Sequence, residues 1–191
     1  MDTFVDGTAP TTPTSVTVAL RKLYLLRFAF AAVWAALLFA TADTLSPLSV
    51  TLLVLYPLFD ASCAVADVRS ARADDSAVRR RLYVNIALST LTGIALAVAV
   101  ASGISAVLQV WGVWAITAGI TQLIVGSVRR QMGGQWAMIA SGAISTVAGA
   151  SFVAQGGKDG ATLTNLAGYA FLGGVFFLIS ALRLKPAGQK I

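Results

Sequence analysis

RRRLYVNIALSTLTGIALAVAVASGISAVLQVWGVWAITAGITQLIVGSVRR, residues 79–130, decides the fold. Three arginines open the stretch, two close it, and no charged residue lies between Arg81 and Arg129. A helix needs about 20 apolar residues to cross the hydrocarbon core of a bilayer, so the segment is more than twice one crossing. Its middle, ASGIS (101–105), carries the small and polar residues of a turn. The stretch therefore reads as two spans, about 82–101 and 104–127, folded into a hairpin whose two ends are basic. Unpaired backbone polar groups are costly in lipid, so apolar runs of this length must be helices.

Working outward, four further runs have the same length and character: about 23–42, 48–68, 136–155 and 162–182. The breaks between spans alternate. ATADTLSP (40–47), ASGIS and QGGKDGAT (155–162) are short and hold one basic residue, Lys158. RSARADDSAVRRR (69–81) and SVRRQMGGQ (127–135) are strongly basic. Lys and Arg near span ends favour the cytoplasmic side. With the N-terminus inside, Arg21, Lys22, Arg27, Arg69, Arg72, Arg79, Arg80, Arg81, Arg129, Arg130, Arg183, Lys185 and Lys190 are all cytoplasmic, and only Lys158 is not. The expected fold is an all-α membrane protein of six transmembrane helices, arranged as three hairpins (about 23–68, 82–127 and 136–182) with both termini cytoplasmic. Residues 1–20 are rich in Thr and Pro and lack the basic start of a cleavable signal. They are expected to form a disordered cytoplasmic tail, followed by a membrane domain over 21–185 and a short C-terminal tail over 186–191.

Composition agrees. Of 191 residues, 57% are hydrophobic and 12% charged, against roughly a quarter charged in a soluble domain. The net charge of +6 follows from the topology. Because the positive residues are spread over several juxtamembrane segments, they suit anionic lipid headgroups and not nucleic acid. All eight acidic residues are Asp; there is no Glu, no His and a single cysteine, Cys63. Intrachain disulfides, the common zinc sites and His-based triads are thereby excluded within this chain. GGQ (133–135) and QGGKDG (155–160) lack the spacing of a phosphate loop. Asp74 and Asp75 sit in an Arg-rich loop and read as solvated. No cofactor, no metal site and no enzymatic activity are expected.

The spans also resemble one another. Ser89-Thr90-Leu91-Thr92-Gly93 aligns with Ser145-Thr146-Val147-Ala148-Gly149. Trp114, Gly119 and Arg130 align with Tyr169, Gly174 and Lys185, while Tyr56, Ala61 and Arg72 align with Trp114, Gly119 and Arg130. A near-constant offset, with aromatic, small and basic positions in one order, indicates one hairpin present three times. All three keep one orientation, unlike the inverted repeats of many transporters. Hairpins of this kind, with WGVWAITAGITQLIVGSVRR (111–130) followed by GGQWAMIASGAISTVAGASF (133–152), resemble the HdeD-like acid-resistance membrane proteins. The resemblance covers about residues 20–185 and implies a bacterial inner-membrane protein of acid or general stress tolerance, with no catalytic residues to carry over.

Few residues within the spans can carry chemistry. Asp60, in LYPLFDASCAVAD (55–67), lies about two turns from the cytoplasmic end of the second span. A central intramembrane carboxylate costs around 2.5–3.5 kcal/mol on insertion scales. It reads either as a protonatable switch or polar-solute contact, or as a satisfied internal pair. Asp67 falls on roughly the same helix face. Folding the first hairpin brings Arg27 level with a point between the two Asp, so that Arg27 either pairs with one of them or snorkels to the interface. Asn85 and Gln122 fall at matching depth in the second hairpin. Gly112, Ala115, Gly119, Gln122 and Gly126 recur at alternating steps of three and four, the stripe of a left-handed helix crossing. Ser141, Ser145 and Gly149 form a second small stripe; small residues let membrane helices approach closely. Pro57 removes one helix hydrogen bond just before Asp60, and Cys63 reads as a packing residue.

Two functions are consistent with these residues. One is a non-catalytic membrane protein that acts by packing against lipid, a membrane-protein partner or further copies of itself. The other is a proton-coupled permeation protein for small solutes with Asp60 as its protonatable group.

Overall fold

In a computed structural model, residues 15–70, 76–132, 135–158 and 160–184 are described. They form six helices, each long and apolar enough to cross a membrane. These are α1 (Ser15–Phe39), α2 (Pro47–Ser70), α3 (Ser76–Ala99), α4 (Ile104–Val128), α5 (Gln135–Gly156) and α6 (Thr164–Arg183). Short 3₁₀ turns, Val100–Ser102 and Arg130–Met132, follow α3 and α4. The chain is thus a multi-pass, all-helical membrane protein.

Helix ends depart from the sequence reading in two places. Residues 15–20, expected to belong to the tail, are instead the first turns of α1. Leu20 explains the correction: it is buried with Tyr24, one turn on, against Met138 of α5, Ala181 of α6 and Leu184 just after it. Arg79, Arg80 and Arg81, assigned to a loop, lie within the first two turns of α3. The expected tails over 1–14 and 186–191, together with Arg72, Asp74, Asp75, Lys185 and Lys190, lie outside the described residues.

The helices close into a ring. Each packs against its neighbours in sequence, and α1 meets α6. The closest pairings are α4 with α5, α1 with α6, and α2 with α3, and each has a glycine at its contact. In α4 and α5 the backbones touch: a β-carbon on Gly112 would lie 2.6 Å from the Gly149 carbonyl oxygen, and one on Gly119 would lie 2.7 Å from that of Gly142. Further along, Gly156 sits against the Ser105 carbonyl. Contacts every seven residues on both helices are the signature of a left-handed crossing. Gly93 of α3 accommodates Leu58 of α2, and Gly174 of α6 accommodates Ala31 of α1. Val33, Leu91, Val98, Val147 and Leu182 point outward, as lipid-facing positions should.

Ring closure is reinforced at its ends. Arg21 donates through Nε to the Ala181 carbonyl (3.1 Å) and through Nη2 to that of Leu184 (2.8 Å). It thereby satisfies carbonyls that the end of α6 leaves unpaired and complements the negative end of its dipole. At the opposite end the Leu163 amide donates to the Ala42 carbonyl at 3.4 Å. Hydroxyls inside the spans mostly bond one turn back, as Thr90 does to Ile86, Thr117 to Val113 and Ser127 to Leu123. Each is then satisfied without water, which the bilayer requires.

The largest buried cluster fills the half of the ring away from the arginines. Trp34, Leu38, Leu53, Leu96, Leu108, Trp111 and Phe152 form its centre. Trp34, Tyr56, Trp111 and Trp114 meet with ring centroids 4.7 to 5.9 Å apart, and Trp34 Nε1 donates to the Leu52 carbonyl at 2.6 Å. Two smaller clusters lie toward the basic end. Between these apolar layers the ring encloses charge.

Candidate functional site

α2 runs unbroken through Pro57 and directs Asp60, three residues on, toward the other helices. Its carboxylate is met on both oxygens. Arg27 Nη1 of α1 donates to Oδ1 at 2.6 Å. Asn85 Nδ2 and Ser89 Oγ donate to Oδ2 at 2.7 and 3.0 Å. Asn85 and Ser89 are one turn apart on α3, so a single helix face presents both donors. Trp114 Nε1 of α4 in turn donates to Ser89 Oγ at 2.9 Å. On the far side, the Arg27 guanidinium lies over the Phe177 ring of α6, 5.0 Å from its centroid, within the range of a cation–π contact. Five helices thus converge on one charge pair.

The pair is not sealed. The side chains of Arg27 and Asp60 are 15% and 13% exposed, and both border two small, partly open cavities. One, of about 60 Å³, extends toward the basic end and is bordered by Tyr24, Asp67, Leu82, Val125 and Met138. The other, of about 50 Å³, extends toward the tryptophans and is bordered by Tyr56, Trp114, Ser141, Ser145, Tyr169 and Gly173. Arg27, Asp60, Ala118, Gln122 and Phe177 border both. The charge pair therefore stands at the junction of two small chambers within the ring.

An ion pair and an aromatic cluster flank the two cavities. Toward the basic end, Arg129 Nη1 contacts Asp67 Oδ1 and Oδ2 at 3.0 and 2.9 Å, and both side chains are buried. At the other end stands the tryptophan cluster.

The structure brings Arg27, Asp60 and Asn85 into one network. Arg27 pairs with Asp60 and not with Asp67, whose partner is Arg129. Gln122 stays out of the network: its Nε2 donates to the Met138 carbonyl at 3.3 Å, leaving it on the wall of both chambers. Gly112, Gly119 and Gly126 form the α4 side of the α4–α5 contact, with Gly142 and Gly149 opposite, while Ala115 is buried in the main apolar cluster. Ser141 and Ser145 border a chamber, and Ser145 accepts a hydrogen bond from the Tyr169 hydroxyl at 2.9 Å. Cys63 is buried.

Sequence reasoning passed over Ser89, Trp114, Arg129, Gly142 and Phe177. Ser89 had a signal, its spacing of four from Asn85. Arg129 was read only as a membrane-end charge. Phe177 has no signal, since one aromatic residue among many in a span does not declare which carries a cation. Among the described residues no group of three or more His, Cys, Asp or Glu side chains is disposed to hold a metal ion.

No family model matches the chain, and neither a curated protein nor a solved structure matches it.

Proposed function

We propose that this chain is a non-catalytic membrane protein that admits small solutes to the axis of its helix ring, with the Arg27–Asp60 pair as the gate. One observation carries the reading: a partly buried charge pair, bordering two chambers, in the middle of an apolar bundle. Ionisable residues inside membranes are expensive and mark solute or proton pathways by default. A pair present only to hold helices together often stabilises no more than packed apolar residues would, and it would need no chamber on either side. Asp60 is the group whose charge can change. A proton on its carboxylate leaves the Asn85 and Ser89 contacts in reach but removes the attraction that holds Arg27. Arg27 is then free to swing, joining the two chambers.

The alternative, action by packing against a partner, loses one of its supports. The small-residue seam that motivated it is used within the chain, between α4 and α5. The HdeD-like resemblance fits either reading and would give the permeation reading its setting, acid or stress tolerance in a bacterial cytoplasmic membrane. The charge bias supports placing the Arg-rich end, and with it both termini, in the cytoplasm, where anionic headgroups would face Arg79, Arg80 and Arg183.

The test is solute flux. Purified protein in liposomes should accelerate movement of at least one small solute in a pH-dependent manner. Asp60→Asn keeps the shape of the side chain and removes its charge; it should flatten that dependence. Flux with the same rate and pH profile in the variant would remove Asp60 from the mechanism.

A further inference from the structure

Hydrogen-bond capacity at the charge pair is unequal, and the inequality says what kind of solute fits. Asp60 is close to saturated, with three donors on two oxygens. Arg27 has five N–H groups in a planar fork, and among the described residues only Nη1 donates to an oxygen. The rest of the guanidinium faces the Phe177 ring, the Cys63 thiol and the two chambers. Of the other donors nearby, Asn85 and Ser89 serve Asp60, Trp114 serves Ser89, Tyr169 serves Ser145 and the Gln122 amide serves Met138; the Tyr56 and Ser141 hydroxyls on the chamber wall are neutral. Asp60 and Asp67 are the acidic residues bordering the chambers, and each already holds an arginine. A cation entering here would meet saturated carboxylates and a repelling guanidinium. A hydrogen-bond acceptor carrying negative charge would meet unused N–H groups.

Resting on the permeation reading above, we infer that the solute is a small inorganic or one-carbon anion that binds Arg27 and travels with one proton carried by Asp60. Charge balance demands the proton. With Asp60 ionised, adding a monovalent anion beside Arg27 gives the buried site a net charge of −1, which is costly in low dielectric. With Asp60 protonated, Arg27 and the anion form a neutral pair and the carboxyl is neutral too. Proton and anion are taken up together and released together, so no net charge crosses. The groups around Asp60 permit this exchange: Arg27 from α1, Asn85 and Ser89 from α3, Gln122 and Trp114 from α4, Ser141 and Ser145 from α5, Tyr169 and Phe177 from α6, and Tyr56 and Cys63 on α2 itself. Arg27 is the one cation among them. Size narrows the solute further. Cavities of about 50 and 60 Å³ hold roughly four water-sized positions each, which suits chloride, nitrate or formate and excludes sugars and amino acids. The Arg-rich end, with Arg21, Lys22, Arg79, Arg80, Arg130 and Arg183, would also concentrate anions at one mouth.

Full-length protein reconstituted in liposomes, with an acidic exterior, tests this. Chloride and nitrate uptake would be followed with an entrapped halide-sensitive dye and proton uptake with an entrapped pH dye; potassium, guanidinium and urea are compared. The expected result is anion uptake about tenfold above protein-free liposomes, with one proton per anion, and an equally large loss in Arg27→Lys, which keeps the charge but not the fork. If Arg27→Lys does not fold, the charge-neutral Arg27→Gln/Asp60→Asn variant replaces it and should abolish anion uptake. Transport of urea, potassium or guanidinium without anions would overturn the anion assignment and leave permeation standing. Anion uptake without protons would overturn the coupling. Movement of no solute at all would overturn the permeation reading itself.

Discussion

Arg27 and Asp60 sit on the two helices of the first hairpin and meet at 2.6 Å, with Asn85 and Ser89 of α3 holding the other carboxylate oxygen. The two residues are unequal in what they lose when parted. Asp60 would keep two neutral donors; Arg27 would keep the face of Phe177.

Removing one member of this pair should therefore be worse than removing both. Arg27→Gln leaves a buried carboxylate without its cation, and breaking buried pairs in this way costs about 3–5 kcal/mol. Arg27→Gln/Asp60→Asn removes both charges and should recover most of the loss. Unfolding in mixed detergent–denaturant series, read by tryptophan fluorescence, gives the comparison. A double variant as unstable as the single would show that the pair's shape, not its charge balance, holds the site.

The α4–α5 contact makes a sharper demand. A methyl group on Gly119 or Gly142 would lie 2.7 or 2.6 Å from the opposing backbone carbonyl. Backbone cannot step aside as a side-chain end can, so the helices must separate. Overpacking of this kind costs about 1–3 kcal/mol. Gly168 of α6 has nothing within 4 Å of a β-carbon, and Gly168→Ala should be neutral or stabilise by up to about 1 kcal/mol. Thermal unfolding of the three variants in one detergent should separate the first two from the third.

These two sites also show what a sequence can and cannot reveal. Charge-free length between Arg81 and Arg129 dictates two spans, because lipid admits nothing else there. Depth is nearly as legible: folding a hairpin at its loop set Arg27 level with the α2 carboxylates. Azimuth is not. Depth alone could not choose between Asp60 and Asp67, and it could not bring Arg129 to Asp67, because their pairing depends on how the ring closes. The α5 stripe was read as Ser141, Ser145 and Gly149; Ser145 and Gly149 do lie against Gly119 and Gly112, but the carbonyl nearest Gly119 belongs to Gly142, which the stripe left out. Spacing identifies a small face but not which residue of that face meets the partner backbone.

The Asp67–Arg129 pair should act as the seal of the basic-end chamber. Asp67→Asn/Arg129→Gln removes both charges and leaves amides that hold each other weakly. If solute crosses along the axis, the double variant should admit it faster, with unchanged preference among solutes, because Arg27 still stands at the junction. Initial uptake rates in liposomes would show this. A variant that is folded but slower would mean that the pair positions α2 against the end of α4 instead of closing a path.

Orientation can be tested independently of transport. Cys63 is buried, 3% exposed, so Cys63→Ala provides a background in which introduced cysteines report alone. Ser76, at the start of α3, and Thr44, between α1 and α2, are both exposed and lie at opposite ends of the ring. If the Arg-rich end is cytoplasmic, a membrane-impermeant maleimide applied to intact spheroplasts should label Thr44→Cys. Ser76→Cys should be labelled only after the membrane is opened. The reverse pattern would place the arginines outside, against the charge bias. It would also put the anion-gathering mouth on the outer face, while leaving the Arg27–Asp60 geometry untouched. Orientation and site chemistry are separable because one rests on where the loops lie and the other on what five helices enclose.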